Sequence, residues 1–239
     1  MPYLMKVLAI IPARKNSKEL PKKNISLFCG KPLITWTIES ALESGIFDEV
    51  MVSTDCEITA SISVENGAEV PFLRPNALSG SNSDIKDTIK DVLIKYSDHL
   101  KIDFDAFCLL QPTSPLRNHL HIRKAFTIFE SKSYGQLVSI SKIRKHPAWM
   151  KKINSNGLLE NYLPKAHSSL QRQKLDSVFI LNGAIYISKL DTFKETDLLH
   201  GESSGYYEME EAVSVDIDNA LDFAYAEFLM RNYSATIEN

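Results

Sequence analysis

Cysteine is scarce in this chain. Cys29, Cys56 and Cys108 are the whole complement, odd in number and scattered. That argues against a disulfide framework or a thiolate zinc site and points to a reducing, cytoplasmic setting. Glycine is sparse too: there are 9 in 239 residues, and none between Pro12 and Gly30. A Walker loop or a GxGxxG fingerprint after the first apolar run therefore loses weight. No apolar run approaches the length of a membrane span. The opening MPYLMKVLAIIPAR has no signal-peptide cleavage pattern and reads as a first strand. Positive charge is not in excess, with a net charge of −3 and a pI of about 6.1. Neither nucleic acid nor a membrane surface is the expected partner. Histidine and cysteine are not placed with a serine in a convincing triad, which leaves a hydrolytic nucleophile with little support.

What is present is ordinary globular material, 44% hydrophobic and 24% charged, sufficient for a single domain over 1–239. KVLAII reads as a buried strand because it is continuous and rich in Val and Ile. In GKPLITWTIESALESG, Pro32 suits a first helical turn, Leu33, Ile34, Ile38, Ala41 and Leu42 share a face, and Gly45 is a stop. EVMVSTD, AEVPFLR, DAFCLLQPTSP, QLVSISKI, FILNGAIYISKL and AVSVDID read as further strands or extended segments. CEITASISVENG, DIKDTIKDVLIKY, HIRKAFTIF and ALDFAYAEFLM read as helices, with RNYSATIEN as a frayed end. This alternation predicts an α/β fold with a mostly parallel sheet and helices on both faces. Between residues 146 and 176 the helical spacing stops. There MKKINSNGLLENYL predicts a β-hairpin with a type I′ turn at Asn156-Gly157, an excursion out of the main sheet.

In parallel α/β sheets, ligands sit beyond the carboxyl ends of the strands, and the polar clusters fall there. Arg14, Lys15, Lys18, Lys22 and Lys23, with Glu19 as the single acid, follow the first strand. Such a loop, from Ala13 through Ser17 to Lys23, can wrap a polyphosphate with its N–H groups and cations; charge alone fits a solvated loop equally well. Asp216 and Asp218 in SVDIDN are two apart, so on an extended chain they face one side and suit a hard cation such as Mg2+. Alternatively, Asp218 or Asn219 caps the next helix. QPTSPLR fixes its backbone with two prolines and offers Gln111, Thr113 and Ser114 as ligand contacts, or is simply a rigid turn. Asn182-Gly183 opens a strand at a point where glycine permits close approach.

The strings IPARKNSKELPKKN, FLRP, LLQPTSPLR, NGAIYI and SVDID occur in one order over nearly the whole chain. As a set they resemble the acylneuraminate cytidylyltransferases. The resemblance implies a nucleotide-diphospho-sugar transferase (Rossmann-like) fold and a Mg2+-dependent reaction. In it CTP activates a nine-carbon α-keto acid sugar, N-acetylneuraminate or legionaminate, and pyrophosphate leaves. Pseudaminate fits the NGAIYI string less well. A Kdo-type enzyme and a non-catalytic nucleotide-binding module on the same fold are the alternatives. The resemblance further implies nucleotide contacts at Ala13, Arg14, Ser17, Lys18, Lys23, Asn24 and Arg74, with Arg74 on cytosine. It implies sugar contacts at Gln111, Thr113, Ser114, Arg172, Asn182 and Tyr186, and a metal pair at Asp216 and Asp218. Lys23 or a water on Asp216's metal is the expected base. A homodimer follows from the same likeness, built on an inserted subdomain at 146–176 through which Lys145 reaches the partner's site. The chain departs from the family in places. Glu19 stands where glycine is frequent. SGSNSD follows FLRP where many members have Asp-Thr, leaving Ser81 and Ser83 as nucleotide candidates. Ile180 and Leu181 stand where some sialic-acid enzymes carry a basic residue.

Overall fold

The computed structural model describes residues 5–17, 19–143, 145–163 and 175–237. Its first strand, β1 (Val7–Pro12), is buried on both faces. Val7, Ala9 and Ile11 enter one apolar cluster, Leu8 and Ile10 another, as a period of two requires. That is why an unbroken apolar run marks this strand. The short pair β2 (Leu27–Phe28) and β3 (Lys31–Pro32) feeds α1 (Leu33–Ser44), which Gly45 ends at a left-handed φ of 63°. Then follow β4 (Glu49–Ser53), α2 (Glu57–Glu65), α3 (Ile85–Lys95), β5 (Ala106–Leu109), α4 (His119–Ser131) and β6 (Gln136–Lys142). Asn118 starts α4 through a capping box with His121. The hairpin β7 (Lys151–Ile153) and β8 (Leu159–Asn161) precedes the long β9 (Phe179–Lys189), α5 (Leu190–Thr196), β10 (Gly205–Met209) and α6 (Ala220–Ile237).

The main sheet has six strands in the order β10-β6-β9-β5-β1-β4. Neighbours pair in parallel except at β9, which is antiparallel to both β5 and β6. β9 follows the hairpin excursion, and among the described residues no α-helix lies between β6 and β9 to carry a parallel crossover; it runs in the opposite sense. α1, α4 and α6 cover one face around Ile38, Phe126 and Leu229, and α3 and α5 cover the other around Val92 and Phe193. The mostly parallel, doubly covered sheet is the one read from sequence. The carboxyl ends of β1, β4, β5 and β6 and the start of β9 consequently gather along one edge of the sheet.

The structure corrects several local expectations. AEVPFLR makes no strand: a single bridge joins Glu69 to Met51, and Pro71 lacks the donor to extend it. AVSVDID makes none either. A 3₁₀ turn spans Glu211–Val213, and the Ile217 N–H goes to the Thr113 carbonyl instead of a ladder. The remaining strand is β10, where buried Gly205, Tyr207 and Met209 alternate with exposed Tyr206 and Glu208. A Cβ at Gly205 would stand 2.1 Å from the Tyr134 ring, so glycine is required there. α6 runs on into RNYSATIEN as far as Ile237. The hairpin forms, but not by a type I′ turn, since Gly157 has a positive φ of 75° and Asn156 does not. Gly157 N–H donates to the Asn154 carbonyl and Asn154 N–H to the Leu158 carbonyl. The Asn154 side chain accepts from the N–H groups of Asn156 and Leu158. This is a short loop with glycine at its left-handed position.

Candidate active site

β1 and β4 end side by side, and their ladder continues one step as Ala13 N–H donates to the Ser53 carbonyl at 2.9 Å. The basic loop leaves from this point. Asp55, just past β4, accepts the Lys15 N–H at 2.7 Å, and the Asn24 amide donates to the Arg14 carbonyl at 3.2 Å. These ties fold the loop back over the sheet edge. Arg14 Nη1 donates to the Gly80 carbonyl at 3.0 Å, bringing the serine-rich 79–83 loop alongside. Arg74 is buried against β4. Its Nε donates to Ser53 Oγ at 3.0 Å and its Nη2 to the Ser53 carbonyl at 2.6 Å. Burial lowers its pKa to about 10; Asp55 opposes that shift and the Arg14 charge adds to it. Two guanidinium groups that repel each other at one strand end are poised for an anionic or hydrogen-bonding ligand.

The far end of the chain closes the site. Lys22 takes a left-handed φ of 57° and leads into a 3₁₀ turn, Lys23–Ile25, leaving Lys23 only 9% exposed. Lys23 Nζ donates to the Ile217 carbonyl at 2.5 Å and lies 3.8 Å from Asp218 Oδ1. The Asp218 side chain is 72% exposed, so solvent screens this ion pair and the carbonyl bond is the firmer tie. Asp216 is hydrogen-bonded to Thr113 and feels the charges of Asp218 and Lys23. It touches solvent at the surface, yet the protein packed around the carboxyl thins its hydration and raises its pKa. The Thr113 hydrogen bond and Lys23 oppose the rise and the Asp218 charge reinforces it. Of the two cap candidates, Asn219 makes the helix cap and Asp218 does not. Asn219 Oδ1 accepts from the N–H groups of Leu221 and Asp222, and Asp222 Oδ2 accepts from those of Asp218 and Asn219. This capping box leaves both the Asp216 and Asp218 carboxylates out.

β5 runs out into the Gln111–Ser114 turn, where Thr113 Oγ1 meets Gln111 Oε1 at 3.3 Å and the Thr113 carbonyl accepts the Ile217 N–H at 2.9 Å. Opposite, Gly183 has a φ of 75°, and a Cβ there would lie 3.4 Å from Asp216 Oδ2 and 3.7 Å from Gln111 Oε1. Tyr186, half-buried, has its pKa raised by burial and by the Asp216 charge. Gln111, Thr113, Gly183, Tyr186 and Asp216 therefore share one location. Asn182 is placed differently. Its buried Oδ1 accepts from Ser139 Oγ at 2.6 Å and Ala184 N–H at 3.3 Å. Its Nδ2 donates to Ser214 Oγ at 2.9 Å and Met209 Sδ at 3.3 Å. Every hydrogen-bonding position of the amide is in use, so it secures Gly183 from within, and a ligand contact would have to displace one of these partners.

The other expected residues fall as follows. Ser114 Oγ is buried, without a partner among the described residues. Ser83 Oγ donates to the Ala77 carbonyl and Ser81 Oγ to Asn82 Oδ1, each at 3.3 Å, within their own loop. Ser17 is half-buried, and Glu19 and Lys145 are exposed. His146 Nδ1 accepts the Ala148 N–H and caps a turn. Lys18 and Arg172 lie outside the described residues. Two ties escape a sequence reading. Asp55 is visible as a strand-end acid opposite a basic loop, but its bond to Lys15 is not. Ser139 looks like any strand residue. Its role depends on a register shift between Val138 and Ile140, where its hydroxyl accepts the Ile185 N–H at 2.8 Å. Among the described residues no group of three or more His, Cys, Asp or Glu could hold a metal ion. Asp216 and Asp218 keep their carboxylates out of the α6 cap, and carboxylate oxygens are the donor type that Mg2+ takes alongside water and phosphate oxygens.

The Cytidylyltransferase family model matches residues 8–186. The chain is 38% identical over 228 residues to CMP-N,N'-diacetyllegionaminic acid synthase of Legionella pneumophila, covering 95% of this chain and 97% of that one. It is 36% identical over 223 residues to N-acylneuraminate cytidylyltransferase of Streptococcus agalactiae serotype III, covering 92% of this chain and 52% of that one, so it spans about half of that relative's length. A solved CMP:2-keto-3-deoxy-manno-octonic acid synthetase complexed with CTP aligns with a TM-score of 0.69 at 17% identity, covering 95% of this chain and 99% of that chain. At that identity the likeness is one of fold.

Proposed function

Because this chain belongs to the cytidylyltransferase family, we propose that it transfers the cytidylyl group of CTP to a nine-carbon α-keto acid sugar, N-acetylneuraminate or legionaminate. The sugar's anomeric hydroxyl gives up its proton to a base, for which Lys23 or a water beside Asp216 is the candidate, and attacks the α-phosphorus; the bond to the β-phosphate breaks, and pyrophosphate leaves. The observation that carries this reading is the junction of Lys23 with Ile217 and Asp218. It joins the basic loop to the acidic run beside Gln111, Thr113 and Tyr186.

Phosphoryl-type substitution depends on positioning and on neutralising the charge of the leaving group. Arg14, Ser17, Lys18 and Lys23 are assigned to the triphosphate, Asn24 and Arg74 to the nucleoside. Gln111, Thr113 and Tyr186 face the sugar, with Arg172 as a further sugar contact and Asn182 and Ser114 supporting them from behind. Asp216 and Asp218 would hold Mg2+, which when bound supplies positive charge to the phosphates. The chain's own cations act in the same sense. They bind the developing pyrophosphate charge more tightly than the ground state, which is the condition for acceleration.

The excursion at 146–176 is assigned to a homodimer. Ile153, Leu158, Leu159 and Tyr162 are 72%, 65%, 74% and 59% exposed on a hairpin too small to stand alone. At the sugar side, Ile180 and Leu181 are 56% and 40% exposed. They offer apolar surface where a cation could stand, which favours a doubly N-acetylated sugar as the first to test.

The test is pyrophosphate release from CTP and Mg2+ with N,N′-diacetyllegionaminate, N-acetylneuraminate, pseudaminate and the eight-carbon Kdo acid. Release with one of the first two is expected. Release with only the eight-carbon acid moves the assignment to that sugar. CTP binding with no release from any acid favours a non-catalytic module on this fold.

A further inference from the structure

Arg117, at the end of QPTSPLR, is a fully buried cation held almost wholly by neutral groups. Its exposure is 0% and it leads the fully buried side chains by volume. Nη2 donates to Thr37 Oγ1 on α1 at 2.9 Å and to the Gln111 carbonyl at 3.2 Å. Nε and Nη1 have no partner among the described residues. The nearby ionisable groups do not balance it. Burial pushes the Cys108 thiol up, and burial together with the Arg117 charge pushes His121 down to about 4. Burial lowers Arg117 itself to about 10, which leaves it protonated near neutral pH. A buried charge without a counter-ion opposes folding. Violations of polar satisfaction of this kind concentrate at functional sites.

The backbone shows what this guanidinium holds. Gln111 begins the turn that faces the acceptor side. Arg117 N–H donates to the Ser114 carbonyl, and Ser40 Oγ donates to the Arg117 carbonyl at 3.0 Å. At the turn's outer edge the Thr113 carbonyl accepts from Ile217, and the Thr113 hydroxyl bonds Asp216. The turn is therefore pinned from beneath by Arg117 and from above by the Asp216–Ile217 run. We infer that Arg117 is a positioning residue for the acceptor side: tethered to Thr37 and the Gln111 carbonyl, it sets the Gln111–Ser114 turn against Asp216 and Gly183 without touching substrate. The activity part of its test rests on the cytidylyltransferase reading; the structural part does not.

The experiment compares Arg117→Met and Thr37→Val with the native chain. Arg117→Met removes charge and tether together, whereas Thr37→Val keeps the charge and loses one tether. Three quantities are measured: the thermal midpoint, amide hydrogen exchange in residues 110–118 against the Lys22–Ser26 turn, and steady-state constants for CTP and sugar. A merely structural arginine predicts a lower midpoint and a general loss of activity. The positioning role predicts a held or raised midpoint in Arg117→Met, because a buried unpaired charge is gone. Exchange in 110–118 becomes faster in both variants while Lys22–Ser26 is unchanged. The sugar KM rises about tenfold, the scale of one hydrogen bond, with the CTP KM near native. Unchanged exchange in 110–118 in both variants overturns the inference, as does an equal change in the two KM values. If the native chain turns over no sugar, the proposed reaction fails and the exchange result alone decides the role of Arg117.

Discussion

Lys23 donates to the carbonyl of Ile217, 194 residues further along the chain, at 2.5 Å. This bond and the 3.8 Å approach to Asp218 unite two segments that share no secondary structure. Lys23→Met keeps the buried stem and deletes the donor, leaving the Ile217 carbonyl short of a partner at a cost of about 1–3 kcal/mol. Turnover is expected to fall about a hundredfold or more, the scale of one preorganised charge-stabilising donor. Pyrophosphate release and a melting curve on the same sample separate the two effects. A variant that melts early but turns over at the native rate would show Lys23 to be a strut and nothing more.

Asp216 gives a prediction with a sign. Its pKa is raised in the folded protein, chiefly by lost hydration and further by Asp218. The folded state therefore holds the proton more tightly than the unfolded chain. Ionised Asp216 weakens folding, an effect absent below the ordinary aspartate pKa of about 3.9 and complete above the raised folded value. Asp216→Asn, without divalent ions, should be more stable than native at pH 7 and equal to it near pH 3. Turnover should fall by orders of magnitude. Asp218→Ala should lose turnover alike with little change in stability, because the side chain is 72% exposed. Denaturant melts at the two pH values decide it: an Asp216→Asn variant less stable than native at pH 7 contradicts the electrostatic account.

Arg74 is fixed by Ser53 through two of its nitrogens and is the residue proposed for the nucleoside. Arg74→Ala should weaken CTP binding about tenfold to a hundredfold, the loss of one or two charge-assisted hydrogen bonds. The sugar KM at saturating CTP should change little. Calorimetric titration with CTP and steady-state sugar kinetics check this. A selective loss for the sugar would move Arg74 out of the base pocket.

The sheet was legible because hydrophobic periodicity reports burial directly, as the continuous VLAII run did for β1 and the spacing of Ile122, Ala125, Phe126 and Phe129 did for α4. Errors arose where partners, not periodicity, decide. SVDID has the apolar alternation of a strand but spends its Ile217 N–H and C=O on Thr113 and Lys23. GYYEM carries little apolar signal and becomes an edge strand because Gly205 lets the chain pass the Tyr134 ring. At the site, residue types and their order marked the strand-end positions. They could not distinguish Asn182, whose amide is consumed internally, from Gln111, whose side chain lies beside Gly183 and Thr113. Nor could they reveal that Arg117 has no counter-ion among the described residues, since burial and pairing emerge only when α1, β5 and α4 meet.

The hairpin supplies the last prediction. β7 and β8 pair with each other and with no strand of the main sheet, and Ile153 and Leu159 are 72% and 74% exposed. Two short strands are marginal in water without a further surface to cover them, and adjoining exposed apolar side chains mark an interaction site. A second copy of the chain is the proposed cover. Leu159→Asp places a charge in that contact while leaving the domain core untouched. Sedimentation should give a dimer for the native chain and a monomer for the variant, with little change in the melting of an isolated subunit. If the excursion also completes the neighbouring site, the monomeric variant should lose most of its turnover while still binding CTP. A native chain that sediments as a monomer at every concentration leaves the hairpin without its proposed partner, and full activity in a monomeric Leu159→Asp variant removes the excursion from catalysis.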